Sequence, residues 1–267
     1  MSQARAAVGV IGGTGLYSFL DDAEEVDVET PYGPPSGALT VARIGAVGVA
    51  FLPRHGRGHT IPPHRINYRA NLWALSTLGV ERVLAPCAVG SLRADLAPGE
   101  VVICDQFLDR THSRESTFFD GPEVAHLSAA DPYCAELRPF AAAAIRSAGL
   151  VAHRGGTVVV VQGPRFSTRA ESRHYAQLGD VINMTQYPEV VLARELGMCY
   201  VNLSLVTDYD TGVAGSPEIR PVTQEEVFAV FARNTQHLRS ALVSLIESVP
   251  ARRGCDCAAQ RPVPLSH

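Results

Sequence analysis

Cys199-Tyr200-Val201-Asn202-Leu203-Ser204-Leu205-Val206-Thr207-Asp208-Tyr209-Asp210 is the stretch that decides what kind of sheet this chain builds. Its first eight residues form a largely aliphatic, β-branched run. They predict a strand covered on both faces, as in an α/β sheet. Packing gives no reason for such a strand to end in two carboxylates, because desolvating them is costly and like charges at close range resist ionising together. In an extended segment, alternation puts Asp208 and Asp210 on one side. Ligands of open α/β sheets bind outside the carboxyl ends of strands. Asp208 and Asp210 are therefore candidate site residues. The competing reading is a solvated loop with two ordinary acids, and Gly212-Val213-Ala214-Gly215 just downstream fits a loop.

The rest of the chain sets the frame. Its 267 residues, 46% of them hydrophobic and 19% charged, suit a globule with a large apolar core rather than a disordered chain. A formal net charge of −4 implies no broad basic face for nucleic acid. No apolar run is long enough to cross a bilayer, and the N-terminal apolar run breaks at Gly12-Gly13 before it can serve as a signal-peptide core, so the cytoplasm is the expected location. Cys87, Cys104, Cys134 and Cys199 lie in apolar segments and are expected as buried free thiols. Cys255 and Cys257 sit in a polar tail. Their C-x-C spacing has no matching second pair in the sequence, which supports structural zinc only weakly.

Outward from the acid pair, other strands also end in chemically loaded turns. Ala7 to Ile11 is a short strand that runs into Gly12-Gly13-Thr14-Gly15. A glycine turn there brings backbone N–H groups near an anion, with the Thr14 hydroxyl beside them. The third glycine of G-x-G-x-x-G falls on Ser18 and no Gly-Lys-Ser/Thr follows, so a small anion suits the turn better than a dinucleotide. Residues 38–44 and 47–52 predict a strand pair ending in Pro53-Arg54-His55-Gly56, a fixed cation beside a titratable imidazole. Arginine suits planar, multi-donor recognition of phosphate. His55-x-x-x-His59 lies in a glycine-rich loop rather than on a helix, which argues against a metal. A helix is predicted over 67–78, strands over 83–91 and 101–104, a long polar loop over 109–131, and an alanine-rich helix over 134–148. A further strand, 156–161, ends at Gln162-Gly163-Pro164-Arg165-Phe166-Ser167. Thr168 with Glu171, and Thr223 with Glu226, read as capping boxes that open helices over 168–177 and from 223 to about 248. Between them come a short strand and turn at 180–185 and a helix over 189–196. Residues 251–267 read as a loose tail. The alternation predicts one α/β domain, residues 1–250, with a central mixed sheet flanked by helices.

Six motifs occur in a fixed order: Ile11-Gly12-Gly13-Thr14-Gly15-Leu16, Arg54-His55-Gly56, Asn67-Tyr68-Arg69-Ala70-Asn71, Gly163-Pro164-Arg165-Phe166-Ser167, Val181-Ile182-Asn183-Met184-Thr185 and Thr207-Asp208-Tyr209-Asp210. Together they resemble the trimeric purine nucleoside phosphorylase family, and within it the 5'-methylthioadenosine phosphorylases, from about residue 8 to about residue 248. The resemblance implies a pentosyltransferase that cleaves a purine nucleoside with inorganic phosphate as co-substrate and needs no cofactor or metal. It implies phosphate binding by Thr14, Arg54, His55, Thr185 and the backbone N–H of Ala88. Met184 would lie against the ribose, Phe166 and Ser167 would line the base pocket, and Cys87, Gln224 and Val227 would also meet the nucleoside. His126 matches a residue that the family lends to a neighbouring subunit of a homotrimer.

Chemistry gives these residues reasons to exist. Breaking the glycosidic bond builds positive charge on the sugar and negative charge on the purine. Phosphate under the sugar stabilises and then captures the cation, while a protonated carboxyl group hydrogen-bonds N7 of the departing base. Asp208 is the expected acid, and Asp210 the reader of a 6-amino group. Family members that prefer 6-oxopurines carry Glu at the Ser167 position and Asn at the Asp208 position, so adenine-type bases are favoured here. Three positions depart from the methylthioadenosine pattern: Cys87 replaces a threonine, Gln162 a glutamate and Gln224 a valine. Polar Gln224 leaves the 5' substituent open, and with it the alternatives of adenosine, a 6-oxopurine nucleoside or another 5'-modified deoxyadenosine. A non-catalytic nucleoside-binding protein on the same scaffold is the reading from another class. The tail resembles the C-x-C tails of some microbial members, in which the pair can form a disulfide.

Overall fold

A computed structural model describes residues 6–12, 23–212 and 220–264. Along the chain run β1 (Val8–Gly12), β2 (Glu24–Val26), β3 (Leu39–Ile44), β4 (Val47–Pro53), α1 (Tyr68–Thr77), β5 (Arg82–Ser91), β6 (Val101–Ile103) and β7 (Gln106–Arg110). Then come α2 (Leu137–Ser147), β8 (Ala152–Arg154), β9 (Thr157–Val161), α3 (Arg169–Tyr175), β10 (Val181–Asn183), α4 (Gln186–Glu195), β11 (Cys199–Asp208) and α5 (Gln224–Ser248).

All eleven strands among the described residues join one mixed sheet, as expected. β5 is its trunk. One edge of β5 pairs in parallel with β11 over nearly its whole length. The other edge is shared: Arg82–Leu84 pair with β1, and Gly90 and Ser91 pair antiparallel with β10. On that second edge, residues 85–89 have no strand partner among the described residues, and the sheet forks. One branch continues through β1, β4, β3 and β2, the other through β10, β9 and β7, while β6 and β8 extend the sheet beyond β11.

Helices cover both faces, which is why β11 is buried along nearly its whole length. Val201, Leu203 and Leu205 pack with Leu137 and Ile145 of α2 and Leu238, Leu242 and Leu245 of α5. Tyr200 and Val206 face the other way, with Leu72 and Leu75 of α1 and Val190 and Leu192 of α4. Each fully buried leucine contributes about 1.5–3 kcal/mol relative to exposure. Asn202 and Ser204 are buried polar residues on the α4 face. Ser204 Oγ donates to Asn202 Oδ1 at 2.7 Å and accepts from Gln186 Nε2 at 2.8 Å, while the Tyr133 hydroxyl donates to Gln186 Oε1 at 2.6 Å. Each buried polar group thus acquires a partner.

Several local expectations change. β7 occupies the start of the expected 109–131 loop, and β8 is an additional short strand. The Thr168–Glu171 box forms in both directions, whereas at Thr223 the bond that forms is Glu226 N to Thr223 Oγ1, 3.2 Å. In α4, Tyr187 has extended dihedrals (φ −108°, ψ 136°), so regular turns begin only beyond it. Residues 251–264 are not a loose tail, because Cys257 is buried and Arg253 Nη1 donates to Gly197 O at 2.9 Å.

Candidate active site

A cavity of about 430 Å³ opens at the fork of the sheet, where the unpaired edge of β5 meets the ends of β10 and β11. Alternation along β5 aims successive peptide groups in opposite directions. Pro86 O accepts from Arg54 Nη1 at 3.0 Å and Ala88 O from Asn183 Nδ2 at 3.5 Å, so these two residues present their peptide groups to the gap. The Val89 carbonyl faces β11, where the Thr207 hydroxyl lies 3.3 Å away. Ala88 therefore turns its backbone toward the cavity that it lines.

Arg54 follows the end of β4 and is 1% exposed. Its Nε and Nη2 each donate to Glu189 of α4 at 2.8 Å. Burial alone would lower the guanidinium pKa, but the Glu189 carboxylate holds it above its ordinary value. Those two bonds and the one to Pro86 use three of the five N–H hydrogens and leave two for a guest. Glu189, which the sequence offered only as the start of a helix, is thus the counter-ion of the site's cation.

His55 is not the titratable imidazole that the sequence suggested. Burial first, and the Arg54 charge second, push it down to about 3. Its Nδ1 lies 2.9 Å from Ile61 O, a group that can only accept, so Nδ1 carries the proton and Nε2 is a bare acceptor. The ring also stacks on His59 with centroids 4.3 Å apart. His59 itself was read only as a loop residue, yet it lines the cavity.

Thr185 stands at the head of α4. Asn183 Oδ1 accepts from the backbone N–H of Thr185 (2.8 Å) and of Gln186 (2.9 Å), and Asn183 Nδ2 donates to Thr185 Oγ1 at 3.3 Å. This leaves the hydroxyl hydrogen of Thr185 for a ligand. Cys87 lines the cavity too, but its sulfur lies 3.6 Å from Ser204 Oγ and 3.5 Å from Gln186 Nε2, tied to the network beneath the floor. Burial raises its thiol pKa.

The acids at the end of β11 meet by a different route from strand alternation. The β5–β11 register shifts between Val206 and Asp208, so Asp208 pairs with Gly90. The chain then turns, with Asp210 in the left-handed region (φ 52°) and its N–H donating to Asp208 Oδ1 at 2.8 Å. The Thr207 hydroxyl lies 2.7 Å from Asp208 Oδ2. Burial raises the Asp208 carboxyl to about 6 against those two hydrogen bonds, and the Asp210 and Glu226 charges add to the rise. Asp210 is raised as well, chiefly by burial. The Ser172 and Ser167 hydroxyls beside its carboxylate work against that rise. Gly90 has a steric reason to be glycine, because a Cβ there would lie 2.8 Å from Asp208 Oδ1.

The walls are apolar. Met184 and Phe166 line the cavity with Ser167, and Val227 and Gln224 of α5 reach its rim, next to Phe228. A Cβ on Gly163 would lie 2.5 Å from Met184 Sδ, so this turn (φ 63°) admits only glycine at that approach. Two candidates are not brought in. Thr14 lies outside the described residues. His126 is exposed on the segment after β7 and is not part of this chain's cavity wall. Among the described residues no histidine–carboxylate group has metal-binding geometry, and the single cluster that does is made of cysteines outside the cavity.

Known proteins resemble this chain over most of its length. The chain is 53% identical to the purine nucleoside phosphorylase of Streptomyces coelicolor over 97% of its own length and 95% of that protein's. It is 54% identical to the S-methyl-5'-thioadenosine phosphorylase of Mycolicibacterium smegmatis, covering 93% of each chain. The methylthioadenosine phosphorylase of Schistosoma mansoni, solved in complex with adenine, superposes with a TM-score of 0.86 at 37% identity, covering 91% of each chain. The sequence profile of the phosphorylase superfamily matches residues 7–247, and the chain belongs to that family.

Proposed function

We propose that this protein catalyses phosphorolysis of 5'-methylthioadenosine to adenine and 5-methylthioribose 1-phosphate. The observation that carries the proposal is one cavity with a buried, partly uncommitted arginine at its floor and a carboxyl group raised to about 6 at the end of β11. Arg54, the Thr185 hydroxyl and the Ala88 N–H hold phosphate, with Thr14 as a further donor. Neutral His55 adds no charge but can accept the P–OH hydrogen of phosphate at Nε2. A phosphate oxygen attacks C1' as the bond to N9 breaks, and the bonding electrons pass into the purine. Asp208 donates a proton or hydrogen bond at N7, which turns the base into a neutral leaving group. Asp210 accepts from the 6-amino group, while Met184 and Phe166 exclude water around sugar and base.

The Streptomyces relative, named for purine nucleosides in general, keeps a second reading open, since Gln224 gives the rim a polar group that an apolar 5' substituent does not need. That reading is phosphorolysis of adenosine, a 6-oxopurine nucleoside or another 5'-modified deoxyadenosine. A homotrimer in which His126 reaches a neighbour's cavity, working in the cytoplasm, completes the proposal. In support, His126 is exposed and does not line its own chain's cavity, and no helix among the described residues is long and apolar enough to cross a membrane.

Base release from methylthioadenosine, adenosine and inosine, each with and without phosphate, tests the reading. Phosphate-dependent adenine release, fastest from methylthioadenosine, is expected. Faster release from adenosine would make Gln224 a reader of the 5'-hydroxyl. A preference for inosine would overturn the roles given to Asp208 and Asp210, and release without phosphate would make the protein a hydrolase.

A further inference from the structure

The segment after α5 crosses the surface and plants two cysteines beside two others. Gly254 N donates to Glu136 Oε1 at 2.8 Å, two residues beyond Cys134, and Arg253 Nη1 holds Gly197 O, two residues before Cys199. These anchors place Cys255 and Cys257 against Cys134, just ahead of α2, and Cys199, the first residue of β11. All six cysteines of the chain are free. The four sulfurs here lie within 4.8 Å of one another, and Cys199 Sγ and Cys255 Sγ are 3.3 Å apart. The second pair that the C-x-C motif lacks in sequence is supplied by the fold.

We infer that Cys134, Cys199, Cys255 and Cys257 form a tetrathiolate site for one zinc ion that fastens the C-terminal segment to the roots of α2 and β11. Zinc–sulfur bonds of about 2.3 Å in a tetrahedron set the sulfurs about 3.8 Å apart. Each of the four is near the other three, which is the arrangement of a single coordination shell. Two independent disulfides would need only nearness within each pair. Thiolates in a tetrahedral set select zinc over hard cations such as magnesium or calcium. Cys255 is part-exposed and gives the ion a way in.

A second observation comes from charge. Arg194, at the end of α4, is 2% exposed, and its Nε has no acceptor among the described residues. Its Nη2 is taken by the neutral amide of Gln260, three residues beyond Cys257 in the same tail. A buried guanidinium needs a counter-charge. One zinc ion with four thiolates carries two net negative charges and supplies it, whereas four thiols or two disulfides supply none.

The test uses the full chain, purified under reducing conditions without chelator. One equivalent of zinc per chain is expected, with four sulfur neighbours at about 2.3 Å by X-ray absorption. Cys255→Ser and Cys257→Ser should each lose most of that zinc. Stripping the metal from the unmutated protein should lower the unfolding temperature and expose four thiols to a thiol reagent, and added zinc but not magnesium should reverse both. Base release should keep its turnover number throughout, so a failure here is distinguishable from a failure of the proposed reaction. Metal-free protein with disulfides among these cysteines, reduced protein that takes up no added zinc, or iron in place of zinc would each overturn the inference.

Discussion

In the proposed reaction, burial of Asp208 serves chemistry and works against stability. Its carboxyl moves from 3.8 to about 6 in the folded chain, so the native state binds more protons than the unfolded state across that interval. Stability attributable to this group therefore falls as pH rises from about 4 to 6, and the full penalty, on the order of 3 kcal/mol at most, applies above that. Asp208→Asn keeps an oxygen to accept from Asp210 N and an amide to donate to Thr207. Its turnover is expected to fall by about 10²–10⁴-fold, while its unfolding temperature at pH 7.5 rises. Paired kinetic and thermal measurements check this, and a variant that is both active and unchanged in stability would remove Asp208 as the acid. Glu189→Gln is expected to do the opposite. It leaves the Arg54 charge buried without its partner, costing about 3–5 kcal/mol by chemical denaturation, and it raises the KM for phosphate before that for nucleoside.

At the level of elements, α3 is short and depends on its cap. Thr168 Oγ1 accepts from Glu171 N at 3.2 Å, and Glu171 Oε2 accepts from Thr168 N at 2.7 Å. Thr168→Ala should cost about 1 kcal/mol locally, visible as faster amide exchange over 169–175. It should also raise the nucleoside KM several-fold, because the same turn presents Phe166 and Ser167 to the cavity. This cap was legible in the sequence because its two residues are three apart. So were β1, β3, β4, β5, β9 and β11, whose apolar runs are long enough to announce a buried strand. β8, with the sequence Ala-His-Arg, had no such run and forms because β6 offers it an edge. The acid pair was visible as composition, but the bulge at Thr207 and the left-handed turn at Asp210 that bring the two together were not. Glu189 and the four-sulfur cluster escaped for a common reason. Their partners lie far away in the chain, at Arg54 and at Cys134 and Cys199, and no local pattern records such contacts.

For the molecule as a whole, the fork of the sheet explains why the site stands where it does. β5 cannot pair with both β1 and β10 over the same residues, so its middle is left with open peptide groups, and the cavity forms over them. One chain supplies this floor, but its His126 does not line the cavity. His126→Ala is therefore expected to raise the KM for nucleoside several-fold without shifting the unfolding temperature, in a protein that sediments as a trimer. A fully active monomer would remove the role of His126.

β11 begins at Cys199 and ends at Asp208, a span of about 30 Å at the rise of an extended chain. Durability and turnover are thus assigned to opposite ends of one strand. A preparation that has lost its tail through nicking or ageing should assay normally on the day it is made, then lose activity in storage sooner than intact material. Initial rate alone would not reveal the damage.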